Sequence, residues 1–277
     1  FTFTGKDLPD TDNVSASLAK LGGEEVLLTV GSSADRSDAR DIQITTLSSE
    51  SGLRYRDWCR QKREYVEAQS SGRIGYFHLP DMGGDGLVEF IKGFYPQAKK
   101  DAVIIDCRYN RGGFDSSMII ERLPRGRWAF MQPRRGQADT YPSVVHVGPK
   151  ALLTNYFAGS DGDIGPESFK MHKLGPVIGT RSWGGVVGIR ADKAFIDGGM
   201  STQPEFAWWE PARGWDMENS GVYPDIVVDI LPGDYAAGRD PQLDTAIKYL
   251  NGQLLDHPPA RPEAPAYPDK SLRVGDR

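Results

Sequence analysis

Short apolar segments alternate with segments of helical periodicity from residue 74 onward, and this alternation restricts the fold more than any other feature of the chain. Residues 102–107 (AVIIDC) form a continuous apolar run, which is typical of a strand buried on both faces of a parallel sheet. Strands are predicted at 74–79, 102–107, 144–147, 151–154, 177–180 and 226–230, and helices at 87–94, after residues 115 and 160, and at 240–250. Strands that alternate with helices predict an α/β core with a largely parallel sheet.

The chain divides by composition into four segments. Residues 1–50 contain two strand-like runs separated by a polar loop and hold too few apolar residues for a complete domain. Residues 51–71 are predicted to form a polar, charge-laced helix that links two domains. Residues 72–255 carry the alternating strands and helices of the core, and residues 256–277 are proline-rich and predicted to form an extended tail.

Bulk composition excludes several classes of protein. The 277 residues are 39% apolar and 26% charged, as in ordinary globular proteins, and the formal net charge of −5 is spread along the chain. The absence of a basic cluster argues against nucleic-acid binding, and no apolar run is long enough to cross a membrane. Cys59 and Cys107 lie in unrelated contexts and are predicted to be free thiols, which favours a cytoplasmic location.

Two glycine-bearing turns follow predicted buried strands. The first is 108–113 (RYNRGG), and the second is 155–163 (NYFAGSDGD). Ligands bind beyond the carboxyl ends of strands in parallel α/β folds, so both turns are predicted to lie on the functional rim. Ser160 would be exposed near the positive end of the following helix, as acyl transfer requires. Because Ser, Asp and Gly also dominate ordinary solvated turns, the residues alone leave both interpretations open.

Six segments together resemble the C-terminal part of the tricorn family of serine peptidases, which is related to the C-terminal processing peptidases. They are 72–82 (GRIGYFHLPDM), 104–114 (IIDCRYNRGGF), 155–164 (NYFAGSDGDI), 179–188 (GTRSWGGVVG), 203–207 (QPEFA) and 218–228 (ENSGVYPDIVV). Their common order and spacing make the resemblance specific. It implies a crotonase/ClpP-like α/β peptidase core, preceded by a partial PDZ-like, β-rich domain at residues 1–50.

The resemblance also implies catalytic roles for individual residues. Ser160, in the Ser-Asp-Gly pattern, is expected to be the nucleophile. The backbone amides of Gly113 and Asp161 are expected to form the oxyanion hole. Glu218, in the Glu-Asn-x-Gly pattern, is expected to belong to the charge-relay network.

Two further residues are expected to contact the substrate. Gly112 lies beside the expected oxyanion hole. Met131 corresponds to the position at which the family's prototype carries an aspartate that selects basic side chains. Methionine cannot pair with Lys or Arg, so an apolar or broader preference is expected.

The resemblance places the family's catalytic histidine in a helical segment upstream of the PDZ domain, outside these 277 residues. None of His78, His146, His172 and His257 has the expected sequence context, and His78 is predicted to be structural. The chain is therefore predicted to be the core of a serine endopeptidase that acts through a Ser160 acyl-enzyme and is inactive alone.

Two alternatives remain open. The first is a non-catalytic module that binds extended peptides. The second is an acyl-CoA-type enzyme of crotonase architecture, which would need neither Ser160 nor Glu218. No cofactor is expected, and no metal, because the scattered His, Asp and Glu residues lack metal-ligand spacing. The expected partners are peptides or unfolded proteins, and the full-length protein is expected to be a homo-oligomer.

Overall fold

The computed structural model describes residues 2–3, 6–7, 14–33, 35–190, 194–260, 263–267 and 269. The chain divides into two units, Phe1–Arg60 and Gln61–Arg277. Among the described residues, no helix is both long and apolar enough to cross a membrane. Cys59 and Cys107 both lie in the described part, and neither forms a disulfide.

The first unit contains an antiparallel sheet with the strand order β2-β1-β3-β4. Its elements are β1 (Thr2–Phe3), β2 (Lys6–Asp7), α1 (Val14–Ser17), β3 (Glu25–Val30) and β4 (Arg40–Thr45). β3 and β4 form the hairpin expected from two strand-like runs, with Glu25 opposite Thr45 and Val30 opposite Arg40. The assignment of this region to a partial PDZ domain stays a prediction.

A long polar helix, α2 (Ser51–Gln69), follows the hairpin, as its charge pattern predicts. The division between the two units falls inside this helix, after Arg60. A separate linker at residues 51–71 therefore also stays a prediction.

The second unit is built on a five-stranded sheet with the order β13-β10-β9-β6-β5. Its elements are β5 (Ile74–His78), α3 (Gly84–Gln97), β6 (Ala102–Asp106), α4 (Ser116–Ile120), β7 (Ala129–Met131), β8 (Asp139–Tyr141), β9 (Lys150–Thr154), α5 (Asp161–Met171), β10 (Val177–Gly179), β11 (Gly188–Arg190), β12 (Gln203–Phe206), β13 (Ile226–Val227), α6 (Pro232–Ala236) and α7 (Pro241–Asp256). All neighbouring strands of this sheet pair in parallel, which confirms the predicted α/β class. Two short antiparallel pairs, β7-β8 and β11-β12, lie outside it.

The central strands β6 and β9 are buried along their whole length, as the continuous apolar run at 102–107 predicts for β6. Successive side chains of β6 enter opposite cores. Ile105 packs in a cluster with Phe90 of α3, and Ile104 packs in a second cluster with Leu250 of α7. The sheet is therefore covered by helices on both faces, and its carboxyl edge is left for the turns that follow β6 and β9.

Three predicted elements differ from the structure. Residues 144–147 are irregular rather than a strand, because they lead into Gly148 and Pro149, where the backbone packs against Asp101 and proline has no N–H to donate. The strand predicted at 226–230 is the two-residue β13. α7 continues to Asp256, six residues beyond the predicted end.

The predicted tail lies partly outside the described residues. Its described parts, 257–260, 263–267 and 269, have no regular secondary structure. Arg127 Nη2 donates a hydrogen bond to the carbonyl oxygen of Ala260 at 3.3 Å, so the first part of the tail contacts the segment that precedes β7.

Candidate active site

Ser160 lies on a tight turn between β9 and α5. Its backbone angles are φ 59° and ψ −125°, a region that side-chain-bearing residues rarely occupy. Such a conformation costs about 1–3 kcal/mol and persists only where the surroundings hold it. The carbonyl oxygen of Ser160 accepts the N–H of Asp163 at 2.8 Å, which ties the serine to the first turn of α5.

The turn that follows β6 packs directly against Ser160. A Cβ atom on Gly112 would lie 2.6 Å from the Cβ of Ser160 and 3.0 Å from its Oγ. Gly112 also has φ +78°, which favours glycine. Only glycine therefore allows the two turns to approach this closely, and the structure brings Gly112 and Ser160 together.

Two asparagines hold the two turns in place. Asn110 accepts the N–H of Gly112 through Oδ1 at 2.9 Å and donates from Nδ2 to the carbonyl oxygen of Leu79 at 2.9 Å. The carbonyl oxygen of Asn110 accepts the N–H of Gly159 at 3.1 Å, which joins the turns directly. From the other turn, Asn155 Oδ1 accepts the N–H of Tyr109 at 3.0 Å. Both asparagines lie within the family-like segments, but sequence reasoning gave neither a role.

The backbone N–H groups of Gly113 and Asp161 are available to a ligand. Met82 donates its N–H to the carbonyl oxygen of Gly112 and accepts the N–H of Phe114, and this bridge leaves the groups of Gly113 directed away from Met82. Asp161 is the first residue of α5, where N–H groups have no partner inside the helix. Among the hydrogen bonds of the described residues, none uses either N–H.

The Asp161 side chain is turned away from Ser160 toward α4. Its Oδ2 accepts the N–H of Ser116 at 2.9 Å, and its Oδ1 accepts the Ser116 hydroxyl. Burial raises the pKa of the Asp161 carboxyl. The side chain therefore anchors the start of α5, while the backbone amide stays free for chemistry.

A cavity of about 400 Å³ opens beside Ser160. Gly113, Ser160 and Asp161 form its polar side together with Ser116, Ser117 and Ser168. Its remaining walls are mainly apolar and consist of Phe114, Ile164, Val186, Gly188, Phe206 and Trp208. Ser160 and the residues that carry the two free amides therefore line one cavity whose other walls are mainly apolar.

Glu218 supports the wall of this cavity from behind. Its Oε2 accepts the N–H groups of Val186 at 2.7 Å and Val187 at 2.9 Å. The next residue, Asn219, donates its N–H to the carbonyl oxygen of Gly184 at 2.7 Å. The structure thus links Glu218 to the site through the backbone of the cavity wall.

None of the four histidines, all of which are described, lines the cavity. His78 is buried and donates from Nε2 to the carbonyl oxygen of Arg108 at 2.7 Å, and burial lowers its pKa. Burial also lowers the pKa of His146 to about 4. His172 ends α5 and donates from Nδ1 to the Ser168 carbonyl oxygen at 2.9 Å. His257 ends α7.

A buried ion-pair network anchors the start of the glycine turn. Arg108 is 2% exposed, and its guanidinium contacts Asp106 at 2.6 Å and Asp240, at the start of α7, at 2.9 Å. Lys62 also pairs with Asp240, at 2.6 Å. Burial opposes ionisation of Asp106, but the Arg108 charge holds the pKa of that carboxyl below its ordinary value. Sequence reasoning missed this network, although Asp106 and Arg108 at the end of an apolar run were a signal.

The profile of Peptidase family S41 matches residues 73–228, which include both turns and Glu218. The chain belongs to peptidase family S41. It is 45% identical over 229 residues to the tricorn protease of Thermoplasma acidophilum, covering 83% of this chain and 21% of that protein. It is 39% identical over 245 residues to tricorn protease homolog 1 of Streptomyces coelicolor, covering 88% of this chain and 23% of that protein.

A solved structure shows the same fold. The crystal structure of the tricorn protease superposes with a TM-score of 0.87 and 42% identity, over 92% of this chain and 25% of that chain. The predicted resemblance and the S41 peptidase fold are therefore confirmed. The chain spans about a quarter or less of the length of these relatives.

One predicted site residue of this S41 chain lies apart from the others. Met131 is at the end of β7, 57% exposed, and is not among the residues that line the Ser160 cavity. Its expected contact with substrate stays a prediction. Among the described residues, no cluster of three or more His, Cys, Asp or Glu side chains could hold a metal ion.

Proposed function

We propose that this chain supplies the nucleophile and the oxyanion hole of a serine endopeptidase. Membership of family S41 supports a peptidase function. The observation that carries the more specific proposal is the strained Ser160 in one cavity with two unused backbone N–H groups, those of Gly113 and Asp161. An ordinary solvated turn needs neither the strain nor the paired donors.

The proposed reaction has two stages. Ser160 Oγ attacks the peptide carbonyl carbon and its proton passes to a base, while the carbonyl oxygen becomes an anion held by the Gly113 and Asp161 amides. Each such donor lowers the barrier by about 3 kcal/mol. The tetrahedral intermediate then expels the amine, which takes the proton from the base. Water hydrolyses the resulting ester and releases Ser160.

The base is proposed to be a histidine from outside this chain. A serine without a neighbouring base is a weak nucleophile, and none of the histidines here lines the cavity. Glu218 could orient that histidine, because its Oε1 accepts no hydrogen bond from the described residues while Oε2 holds Val186 and Val187. The chain by itself is expected to be inactive.

Peptides or unfolded proteins are the proposed substrates, and the apolar walls of the cavity favour apolar side chains next to the cleaved bond. We further propose that the intact protein is a cytoplasmic homo-oligomer. Exposed aromatic residues beside the site, Tyr109, Tyr156 and Phe157, form an apolar face that suits assembly. Light scattering on the purified intact protein measures the mass of the particle and so tests whether it is an oligomer.

Non-catalytic peptide binding is a second candidate, favoured by the lack of a histidine beside Ser160. In that case extended peptides would bind to the intact protein without being cleaved. The acyl-CoA alternative fits less well, since it gives no reason for a strained serine at this position.

Active-site labelling tests the proposal. The intact protein that carries this chain is treated with a fluorophosphonate, and the modified peptide is identified by mass spectrometry. We expect labelling at Ser160, complete loss of peptidase activity in Ser160→Ala, and normal labelling in Ser117→Ala, which changes another serine of the same cavity. Cleavage of peptides by the Ser160→Ala protein at the wild-type rate would refute the serine mechanism, and peptide binding without labelling or cleavage would favour the binding module.

A further inference from the structure

The carboxylate of Asp163 is buried near Ser160, and the reaction described above does not use it. Asp163 is the third residue of α5 and is 0% exposed. Its N–H donates to the carbonyl oxygen of Ser160 at 2.8 Å, so its backbone is bonded directly to the proposed nucleophile. Any group that the Asp163 side chain holds is thereby fixed relative to Ser160.

The Asp163 side chain holds the segment that walls the cavity. We call residues 182–187, between β10 and β11, the strap. Asp163 Oδ1 accepts the N–H of Gly184, in the middle of the strap, at 2.9 Å. Gly184 has φ +89°, and a Cβ there would lie 2.5 Å from the backbone nitrogen of Gly221, so the strap is tightly packed at this point.

Other contacts hold the strap on either side of Gly184. Before it, Trp183 donates its N–H to the carbonyl oxygen of Ala158 at 2.8 Å. After it, Glu218 accepts the N–H groups of Val186 and Val187. Val186 lines the cavity beside Ser160. Asp163 and Glu218 therefore fix neighbouring parts of the same cavity wall. Of these two residues, only Asp163 lies on α5, the helix that begins directly after Ser160.

Burial of the Asp163 carboxylate is energetically unfavourable. Its Oδ2 has no hydrogen-bond partner among the described residues, and an unpaired buried polar atom costs free energy. Burial also raises the pKa of Asp163, which means that the charged form is disfavoured at this position. A group that destabilises its surroundings in this way is expected to serve the site rather than the fold.

We propose that Asp163 is a positioning residue for the Ser160 reaction, holding the strap at Gly184 so that the Val186 wall stands at a fixed distance from the nucleophile. This inference rests on the proposed serine-peptidase function. Displacement of a reacting group by about 1 Å can lower a rate about a hundredfold. Loss of the Asp163 acceptor is therefore expected to slow acylation of Ser160 without removing Ser160 or the two amides.

The test compares four forms of the intact protein: wild type, Asp163→Ala, Asp163→Asn and Asp225→Ala. Asp163→Asn keeps an oxygen that can accept the Gly184 N–H. Asp225→Ala is the control, because Asp225 also accepts one backbone N–H, that of Val177 at 2.8 Å, at a site outside the cavity, where it also pairs with Lys170 at 3.3 Å. Each form is assayed for the rate of Ser160 labelling by a fluorophosphonate and for amide hydrogen exchange by mass spectrometry.

In Asp163→Ala we expect labelling to slow about a hundredfold and exchange to rise about tenfold within the strap but not in the central strands β6 and β9. The labelling rate of Asp163→Asn should lie within about fivefold of the wild-type rate, a factor equivalent to one neutral hydrogen bond. Asp225→Ala should be labelled at the wild-type rate.

Three results would overturn the inference: normal labelling of Asp163→Ala, an Asp163→Asn protein as slow as Asp163→Ala, or an equal effect of Asp225→Ala together with faster exchange throughout the second unit. A wild-type protein that is not labelled at Ser160 would instead refute the proposed function itself, so the two failures are distinguishable.

Discussion

The close approach of Gly112 to Ser160 predicts a large effect of a single methyl group. A Cβ on residue 112 would lie 2.6 Å from Ser160 Cβ and 2.8 Å from the carbonyl oxygen of Gly159, well inside the normal van der Waals separation. At φ +78° the substitution also strains the backbone, by about 1–2 kcal/mol. The Gly112→Ala protein must therefore move one of the two turns, and a shift of about 1 Å lowers the rate about a hundredfold.

The Gly238→Ala variant is a control that introduces the backbone strain without the steric clash. Gly238 has φ +66°, close to that of Gly112, but a Cβ there meets no atom within 4 Å. Both variants should lose about 1–2 kcal/mol of unfolding free energy from the backbone alone, with a further loss in Gly112→Ala from the clash. Only Gly112→Ala should lose reactivity of Ser160.

Urea unfolding measures the first effect, and the rate of fluorophosphonate labelling in the intact protein measures the second. Equal labelling of Gly112→Ala and wild type would refute the reasoning, because it would mean that the turns can separate without disturbing the nucleophile. Equal loss of labelling in Gly238→Ala would show that general destabilisation, not local geometry, controls Ser160.

Three further predictions concern the Arg108 ion-pair network, His146 and Met131. Arg108→Met leaves Asp106 and Asp240 without their shared cation and should lower the unfolding free energy by about 3–5 kcal/mol in urea titration. Burial lowers the folded pKa of His146 to about 4, so its contribution to the unfolding free energy should be fully present above pH ~6.5 and should fall by up to about 1.4 kcal/mol per pH unit down to pH 4. His146→Gln should remove that part of the pH dependence. If Met131 contacts substrate, profiling the intact enzyme with a peptide library should show cleavage next to apolar residues and a shift toward Lys and Arg in Met131→Asp, whereas an unchanged profile would exclude the contact.

Sequence patterns predicted the core because the features that define it are local. The apolar run at 102–107 is long enough to identify a strand buried on both faces, and β6 is that strand. Residues 144–147 have the same kind of composition, but the following Gly148 and Pro149 prevent them from joining the sheet. Composition alone could not show this, because Val145 and His146 are buried even without strand geometry.

Side-chain partners distant in sequence could not be predicted in the same way. Arg108 and Asp240 are bonded at 2.9 Å although 132 residues separate them, and nothing in either local sequence specifies the pairing. Asp163 was visible in the Ser-Asp-Gly-Asp pattern, but its acceptor role depends on the position of Gly184 in space. The turns were therefore predictable, and the contacts that hold them were not.

The backbone conformation of Ser160 depends on the contacts between the two turns, not on either turn alone. Tyr109 in the first turn has φ +62°, and Ser160 in the second has φ +59°, so each turn contains a side-chain-bearing residue in an unfavourable conformation. At about 1–3 kcal/mol each, neither would be stable in an isolated turn. Each is held by a contact from the other turn: the Asn155 side chain accepts the Tyr109 N–H, and the main-chain carbonyl oxygen of Asn110 accepts the N–H of Gly159, next to Ser160. Each turn therefore restrains a residue of the other. Asn155→Ala, which removes the one side-chain acceptor of these two contacts, should relax Tyr109 directly and Ser160 through the joined turns.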